Sequence, residues 1–364
     1  MSAIPDRPGV LTADDLRAVA AAGAIDAPDL DARVQPASVD LSLGARAWRV
    51  RAAFLPGAGR TVAECVDRFA LHELSLADGA VLEKGCSYVV PLRERLALPP
   101  GLSATANPKS STGRIDVFVR LVTDHAGAYE RVPDGYAGPL YAEISPRTFS
   151  VLVREGSSLN QLRLRVGEAG LTDEALRARH AEAPLSTGGA VQGGLRLSAD
   201  LRGEGVVGYR ARRHAGLIDV DRVGALDPDG YWEPIEGRGE LILDPGEFYI
   251  LASREELAVP RDLAAEMVAI DTELGAFRAH YAGFFDPGFG TEAPSRAVLE
   301  VRGFDTPFVL EHGQTVARLT YERLTAAVAE GYGAALGSNY QGQGLRLSKH
   351  FSREVREATT PMSG

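Results

Sequence analysis

Short segments in which apolar and polar residues alternate dominate the chain after its first thirty residues. β-Branched residues are frequent in these segments, and Gly or Pro interrupts or ends them. Alternation with a period of two is typical of strands that are buried on one face. The segments predicted as strands are 38–50, 88–98, 117–123, 139–144 and 149–153.

A helical pattern is confined to a few places. In "LTADDLRAVAAAG", Thr12 is a candidate N-cap, acidic residues occupy the first turn, and Gly23 follows the last periodic residue. Segments 169–184 and 322–330 are also predicted to be helical. The sequence therefore predicts a mainly β protein with a few short helices.

Three blocks of the sequence occur twice, in the same order and with matching Gly, Tyr, Leu and Pro positions. A repeat of this length indicates duplicated domains rather than a solenoid. We place the boundary near residue 200, which gives a first repeat of residues 1–200 and a second repeat of residues 201–364. The paired blocks are 85–102 with 246–263, 149–164 with 306–321, and 193–201 with 343–351.

The composition is ordinary for a globular protein, with 45% apolar and 24% charged residues among 364. No apolar run approaches the roughly 18 residues that a membrane helix needs, and the N-terminal segment has no secretory signal pattern. Two cysteines, Cys65 and Cys86, form no disulfide framework. We therefore expect a cytoplasmic protein that does not bind membranes.

The net charge of −10 argues against a polymeric nucleic acid as a partner. The densest basic cluster, residues 210–214, is short and is typical of a solvated turn. A small anion that is bound by a few well-placed cations remains possible.

Several common catalytic motifs are missing from the sequence. The seven histidines form no HExxH and no Cys-x-x-Cys is present, so a zinc deaminase site is not expected. No Gly-x-Ser-x-Gly is present for a serine hydrolase. "PKSSTGR" is not a Walker A loop, and "GYGAALG" does not fit a dinucleotide fingerprint. Any hydrolytic chemistry is therefore expected to use carboxylates.

The stretch "NPKSSTGR" (107–114), which we call the cradle, combines a lysine, two serines, a glycine and an arginine. Backbone amides of a Gly-containing turn can bind an anion, and Arg114 offers a planar fork for phosphate oxygens. The alternative is a surface turn whose serines bond their own backbone. The second repeat has Asp271 and Gly275 at the positions of Ser110 and Arg114, so this feature is particular to the first repeat.

Three carboxylates stand out by their settings. Glu143 and Glu300 lie inside corresponding predicted strands of the two repeats, and Asp286 lies in "FFDPGFG". Each glutamate can point to solvent from an alternating strand, or can be buried as a base whose pKa is raised toward neutrality. Asp286 also fits a simple hairpin corner.

Together these motifs resemble the dCTP deaminase family of the trimeric dUTPase superfamily. The resemblance rests on "VQPASVDLSLGARAWRV", "KSSTGR", "AHYAGFFDPGFG…AVLEV" and "YGAALGSNYQGQG". It extends over both repeats, nearly the whole chain. It implies two tandem dUTPase-like distorted jelly-roll (β-clip) domains and the deamination of dCTP to dUTP.

The resemblance also implies roles for individual residues. Glu143 and Glu300 both match the catalytic glutamate, and Ser110 would help to hold the water or the base. The hairpin 279–300 would bind sugar and base, and 332–348 would close over the nucleotide, although Asn339 stands where a lysine is usual. The implied substrate-binding residues are Lys109, Ser110, Ser111, Thr112, Gly113, Arg114, Ala282, Asp286, Val298, Leu299, Tyr332 and Gln343.

Neither repeat carries the complete set of motifs. We hypothesise a composite site in which the cradle of the first repeat faces Asp286 and Glu300 of the second. The rival hypothesis is a site formed only by first repeats, which would use Glu143 and leave the second repeat as a scaffold.

The implied mechanism has no metal at the base. The glutamate takes a proton from water, hydroxide attacks C4 of cytosine, and the glutamate passes the proton to N3 before ammonia leaves. Mg²⁺ would be bound through the substrate triphosphate. The resemblance further implies a homo-oligomer with a threefold arrangement of domains. The alternatives are dUTP hydrolysis, alone or after deamination, and a non-catalytic sensor of deoxynucleoside triphosphates.

We predict that ammonia release from dCTP needs no added zinc and survives a zinc-selective chelator, because the proton carrier is a carboxylate. The measurement is ammonia release before and after chelation, with Mg²⁺ held constant. Loss of turnover that zinc restores would contradict the prediction.

Overall fold

The protein is described here by a computed structural model. It describes residues 4–269, 277–280, 283–329, 331 and 342–352. Strands make up 43% and helices 12% of the chain, which confirms the prediction of a mainly β protein with few short helices.

The predicted helix after Thr12 is confirmed, and its capping box pairs Thr12 with Asp15. The predicted helix in 169–184 is confirmed as well, whereas the helices Leu30–Arg33, Val62–Phe69 and Ser110–Gly113 were not predicted. No helix within the described ranges is long and apolar enough to cross a bilayer. The helices are α1 (Ala13–Ala21), α2 (Leu30–Arg33), α3 (Val62–Phe69), α4 (Ser110–Gly113) and α5 (Asp173–Glu182), and a 3₁₀ turn covers Pro228–Gly230.

The predicted helix at 322–330 is wrong. A strand, Thr315–Arg323, runs into this segment, and residues 324–329 are irregular. The amides of Leu324 and Thr325 donate to the carbonyls of Asp262 and Val10 at 3.0 and 2.9 Å. These long-range hydrogen bonds replace the local ones that the apolar spacing of "LTAAVAE" suggested.

The strands belong to six sheets. The first fourteen strands are β1 (Gly9–Val10), β2 (Ile25–Asp26), β3 (Val34–Gln35), β4 (Ser38–Asp40), β5 (Arg46–Val50), β6 (Ala70–Ser75), β7 (Ala80–Leu82), β8 (Ser87–Ala97), β9 (Leu102–Pro108), β10 (Val117–Thr123), β11 (Arg131–Val132), β12 (Ala137–Pro146), β13 (Val151–Val153) and β14 (Asn160–Val166). The others are β15 (Leu195–Ser198), β16 (Val206–Ala211), β17 (Ile218–Asp219), β18 (Trp232–Glu236), β19 (Glu240–Leu243), β20 (Phe248–Leu257), β21 (Leu263–Ala269), β22 (Phe277–His280), β23 (Phe284–Phe285), β24 (Ser295–Gly303), β25 (Phe308–Glu311) and β26 (Thr315–Arg323).

The order of strands in the sheets shows the duplication directly. The order β11-β9-β14-β4 in one sheet corresponds to β23-β21-β26-β15 in another. The order β10-β12-β8-β5-β6 corresponds to β22-β24-β20-β16-β18, and the pair β13-β7 corresponds to β25-β19. Each strand of the second set therefore has a counterpart in the first, except β17, which pairs in parallel with β13.

A buried contact that occurs in both repeats defines their alignment. Ser42 donates from its amide and hydroxyl to Glu94, at 3.0 and 2.6 Å, and Ser198 donates in the same way to Glu255, at 2.8 and 2.6 Å. The block at 193–201 therefore corresponds to the region around Ser42. Its sequence match with 343–351 does not reflect equivalent places in the fold, because 343–351 forms no strand of this kind.

The boundary between the repeats lies nearer the N-terminus than the prediction of residue 200. Leu176, Leu185, Leu195 and Leu197 all pack in the core of the second repeat. Strand β15 also joins β26 in a sheet. The packing therefore places the boundary near residue 170, in the irregular segment before α5.

In the sheet β18-β16-β20-β24-β22, the strands β20 and β24 are buried on both faces. On one face, Phe248, Ile250 and Val298 pack in a continuous core with residues of the first repeat. The alternate residues pack in the core of the second repeat: Tyr249, Leu251, Leu299 and Val301. Because side chains alternate along a strand, Glu300 shares the face of Val298 and points toward the first repeat.

The corresponding face in the first repeat is covered in another way. Val62 and Val66 of α3 pack there against Val89 and Tyr141. Helix α3 lies in the connection between β5 and β6. The first repeat thus closes this face with its own helix, whereas the second repeat closes it with the first repeat.

We predict that Trp232→Ala lowers the free energy of unfolding by about 3–5 kcal/mol, because it leaves a cavity between the repeats. Trp232 is 1% exposed, and its ring centroid lies 5.5 Å from that of Phe149 and 5.9 Å from that of Phe351. Urea denaturation measures the effect. The control is Val223→Ala, since Val223 is 64% exposed and should change the value by less than about 0.5 kcal/mol. Equal effects for the two variants would contradict this packing.

Candidate active site

The cradle begins at the end of β9 and contains the single helical turn α4, which lies between β9 and β10. The amides of Thr112 and Gly113 both donate to the Lys109 carbonyl, at 2.8 and 3.0 Å. Residues 111–113 are buried, and Arg114 is 3% exposed. The alternative of an ordinary surface turn therefore does not describe this stretch.

Glu300 of the second repeat lies directly against the cradle of the first. A side chain in place of the Gly113 hydrogen would have its first carbon 2.8 and 2.9 Å from the two carboxylate oxygens of Glu300. On the other side, the corresponding position at Gly283 lies 3.9 Å from the Ser110 hydroxyl. Strand β24 and the hairpin before it thus face the cradle, as the composite arrangement requires.

Burial raises the pKa of the Glu300 carboxyl well above its usual range. The Arg114 guanidinium opposes this shift, and the Asp116 carboxylate adds to it. A carboxyl of this kind can both take and return a proton near neutral pH.

Asp286 is the second carboxylate near the cradle, and it is 8% exposed. Its Oδ1 lies 3.7 Å from Nη2 of Arg163 and has no hydrogen-bond partner within the described ranges. Burial raises the pKa of Asp286 to about 6. The positive charges of Arg163 and Lys109 oppose this shift, and the carboxylate of Asp40 adds to it. Lys109 itself forms an ion pair with Asp40.

The segment 343–350 lies along the cradle. Arg114 donates from Nη2 to Oε1 of Gln343, at 3.0 Å, and from Nη1 to the carbonyl of Arg346, at 3.1 Å. The Ser348 hydroxyl donates to the Ser111 carbonyl at 2.7 Å. The prediction that Gln343 belongs to the site therefore agrees with its contact with Arg114.

Glu143, the counterpart of Glu300, is engaged within the first repeat. Arg120 contacts its Oε2 at 2.7 Å, and Ser145 donates to its Oε1 at 2.6 Å. The Arg120 guanidinium also stacks on the ring of Tyr129, at 3.8 Å from its centroid. Glu143 thus forms an ion pair with Arg120, and helix α3 of its own repeat covers the face on which it lies.

The remaining predicted positions differ in their placement. Val298 lies on the face toward the first repeat, but the side chain of Leu299 lies in the core of the second and turns away from the cradle. The Leu299 side chain therefore does not reach the cradle, and a substrate contact by this residue stays a prediction. The Thr112 hydroxyl is buried without a hydrogen-bond partner among the described residues. Ala282, Tyr332 and Asn339 lie outside the described residues.

Several neighbours of the cradle were not predicted. Asp40 and Ser348 reach it through long-range contacts. Asp116 follows it in the sequence and bonds to Gly113, and Arg302 is linked to it through Asp116. Lys349 is a further neighbour that was not predicted, and burial and the charge of Lys109 lower its pKa. The sequence contains only three lysines, so the rarity of this residue type could have pointed to Lys349 as a candidate for the site.

Comparison with known proteins finds relatives of both repeats. Residues 7–168 match the model of the N-terminal domain of 2'-deoxycytidine 5'-triphosphate deaminase, and residues 172–351 match that of its C-terminal domain. The crystal structure of 2'-deoxycytidine 5'-triphosphate deaminase from Agrobacterium tumefaciens is 52% identical, with a TM-score of 0.84, and the match covers 87% of this chain and 99% of that one.

Curated relatives match over a shorter span. The dCTP deaminase of Haloarcula marismortui is 38% identical over 120 residues, which are 32% of this chain and 59% of that protein. A "dCTP deaminase, dUMP-forming" from Mycolicibacterium gilvum is 35% identical over 129 residues, which are 34% of this chain and 65% of that protein. The chain therefore spans about three fifths of the length of these relatives. Because the two domain models together span most of the chain, and the similar solved structure is covered almost completely, the chain belongs to the 2'-deoxycytidine 5'-triphosphate deaminase family.

Proposed function

We propose that the protein deaminates dCTP to dUTP and ammonia at a composite site within one chain. The observation that carries this proposal is the position of the buried Glu300 carboxylate of the second repeat against Gly113 in the cradle of the first. Cradle and proton carrier come from different repeats, so a single repeat would lack one of them.

The cradle binds the triphosphate in this proposal. The first amides of a helical turn have no partner within the turn and can face an anion. The hydroxyls of Ser110 and Ser111 add donors, and Lys109 and Arg114 supply positive charge. The Thr112 hydroxyl is buried and has no hydrogen-bond partner among the described residues, so it is a polar atom that a ligand could satisfy. Mg²⁺ binds to the triphosphate in this proposal and is therefore treated as part of the substrate.

Asp286 is assigned to the deoxyribose hydroxyl. Its Oδ1 is buried and accepts no hydrogen bond from a described residue, so a hydroxyl donor would satisfy it. With a pKa of about 6 the carboxylate is mostly ionised at neutral pH and can accept that bond. Arg163, 3.7 Å away, compensates part of its charge.

Glu300 carries protons between water and the base. It accepts a proton from water while the hydroxide oxygen bonds to C4, and it then gives that proton to N3. The proton of the new C4 hydroxyl passes through Glu300 to the amino group. The C4–N bond breaks, ammonia leaves, and a carbonyl remains at C4. Ser110 helps to hold the attacking water.

We infer a stabilising role for Glu143. Its two oxygens are occupied by Arg120 and Ser145, and its face of the sheet is covered by α3. A carboxylate whose oxygens are occupied and whose face is covered is not placed to contact a nucleotide.

The proposal also covers the cellular compartment and the binding partners of the protein. The free thiols of Cys65 and Cys86 fit a reducing compartment, for which we propose the cytoplasm. The partner is a deoxynucleoside triphosphate rather than a nucleic-acid polymer or a membrane. The superfamily resemblance supports a homo-oligomer with threefold arrangement of its domains.

Glu300→Gln and Glu143→Gln test the assignment in one experiment. We expect Glu300→Gln to lower kcat for dCTP by about 10²–10⁴-fold, because the proton carrier is lost. Glu143→Gln should keep turnover within a few-fold, because glutamine retains hydrogen bonds to Arg120 and Ser145. Ammonia and pyrophosphate are measured separately with dCTP, CTP and dUTP.

The outcomes separate the candidate functions. Ammonia without pyrophosphate supports deamination alone, both products indicate a bifunctional enzyme, and tight binding without turnover indicates a sensor. Loss of activity only in Glu143→Gln would overturn the composite site in favour of one built from first repeats.

Gly113→Ala tests the contact that carries the proposal. Alanine fits the helical turn α4, but its methyl group would push the Glu300 carboxylate away. A displacement of this size should lower kcat about 100-fold, with the midpoint of thermal unfolding nearly unchanged. Gly127→Ala is the matched control, because nothing lies within 4 Å of its added carbon. Equal activity of the two variants would contradict the placement of Glu300.

A further inference from the structure

We propose that the buried ion pair between Arg302 and Asp116 positions Glu300 over the cradle and sets the charge state in which it works. The inference rests on the proposed function, since it concerns the same glutamate. Neither residue belongs to the motifs that carry the family resemblance.

The pair joins the two repeats next to the site. Arg302 follows Glu300 by two residues on β24, so both side chains point toward the first repeat. Nη2 of Arg302 contacts the Asp116 carboxylate and donates to the Thr148 hydroxyl at 2.8 Å. The Asp116 side chain is fully buried, and that of Arg302 is 12% exposed.

Asp116 is in turn tied to the cradle. It follows Arg114 by two residues, and its amide donates to the Gly113 carbonyl at 2.9 Å. Its carbonyl accepts from the amide of Arg147, also at 2.9 Å. The cradle and β24 are therefore joined at two points, by Gly113 against Glu300 and by Asp116 against Arg302.

The backbone of Asp116 supports a specific role. Its φ of 55° is in the left-handed region, which costs free energy for residues other than glycine and favours Asp and Asn among them. A glycine would relieve this cost but would leave Arg302 without its buried partner.

The first repeat shows that the fold does not require this arginine. Two residues beyond Glu143, at the position that corresponds to Arg302, stands Ser145, which bonds to Glu143 itself. The arginine is thus particular to the strand that faces the cradle.

The charges around Glu300 give the pair an electrostatic consequence. Arg114 stabilises the ionised form of Glu300 and Asp116 destabilises it, while Arg302 neutralises Asp116. On the neighbouring strand β22, His280 is in register with Glu300. Loss of Arg302 would remove the cation that offsets the charge of Asp116 near Glu300, and loss of Asp116 would remove the carboxylate that offsets the charge of Arg302.

The test compares Arg302→Met, Asp116→Asn and the double variant in the complete chain. The readout is the pH profile of kcat/KM for dCTP. We expect the acid limb to move up by about one pH unit in Arg302→Met and down by a similar amount in Asp116→Asn, because a nearby charge is unmasked in each case. The double variant should return toward the wild-type limb. Asparagine keeps the left-handed backbone accessible.

Control variants separate positioning from simple anchoring. Arg154→Met breaks another ion pair between the repeats, with Asp219, at 2.8 Å, and should leave the acid limb in place. Arg302→Lys keeps the charge and stays informative if Arg302→Met fails to fold; its acid limb should stay close to that of the wild type. Coinciding acid limbs in Asp116→Asn and the wild type would overturn the inference, whereas a wild-type protein that releases no ammonia would overturn the proposed function instead.

Discussion

The structure depends on one constraint, the alternation of side chains along a strand that is buried on both faces. On β24, Leu299 and Val301 enter the core of the second repeat, so Glu300 must enter the space between the repeats. A carboxylate in that space is costly unless charges compensate it. The guanidinium of Arg114 in the cradle compensates part of this cost. The packing of the repeats therefore decides both the position of Glu300 and the direction of its pKa shift.

Duplication supplied two copies of this strand, and the connections around it made them different. Between β5 and β6 the chain forms α3, which covers the face that carries Glu143. Between β16 and β18 it forms β17, which pairs with β13 of the first repeat. One insertion closes a repeat on itself and the other ties the two repeats together. The same glutamate is consequently a partner of Arg120 in one copy and a neighbour of the cradle in the other.

A site shared between two repeats of one chain needs contacts that hold the repeats in register. Three kinds of contact cross between the repeats. They are the buried aromatic packing around Trp232, the ion pairs of Arg163 with Asp286 and of Arg302 with Asp116, and the contacts of the segment 343–350. The two ion pairs and the segment 343–350 each include or adjoin a residue assigned to the site. Stability of the interface and geometry of the site are therefore parts of the same packing problem.

The sequence by itself determined the mainly β class, the capped helix after Thr12, the duplication, the family and the residues of the cradle, because these are local patterns. It misplaced the boundary between the repeats and predicted a helix at 322–330, since short apolar runs do not reveal which core they join. It also left open which glutamate faces the cradle. Only the tertiary structure decided that Glu300 does so within one chain, because the face that a strand turns toward a neighbour depends on long-range packing. The same holds for Asp116 and Arg302, which are 186 residues apart in the chain and in contact in the fold.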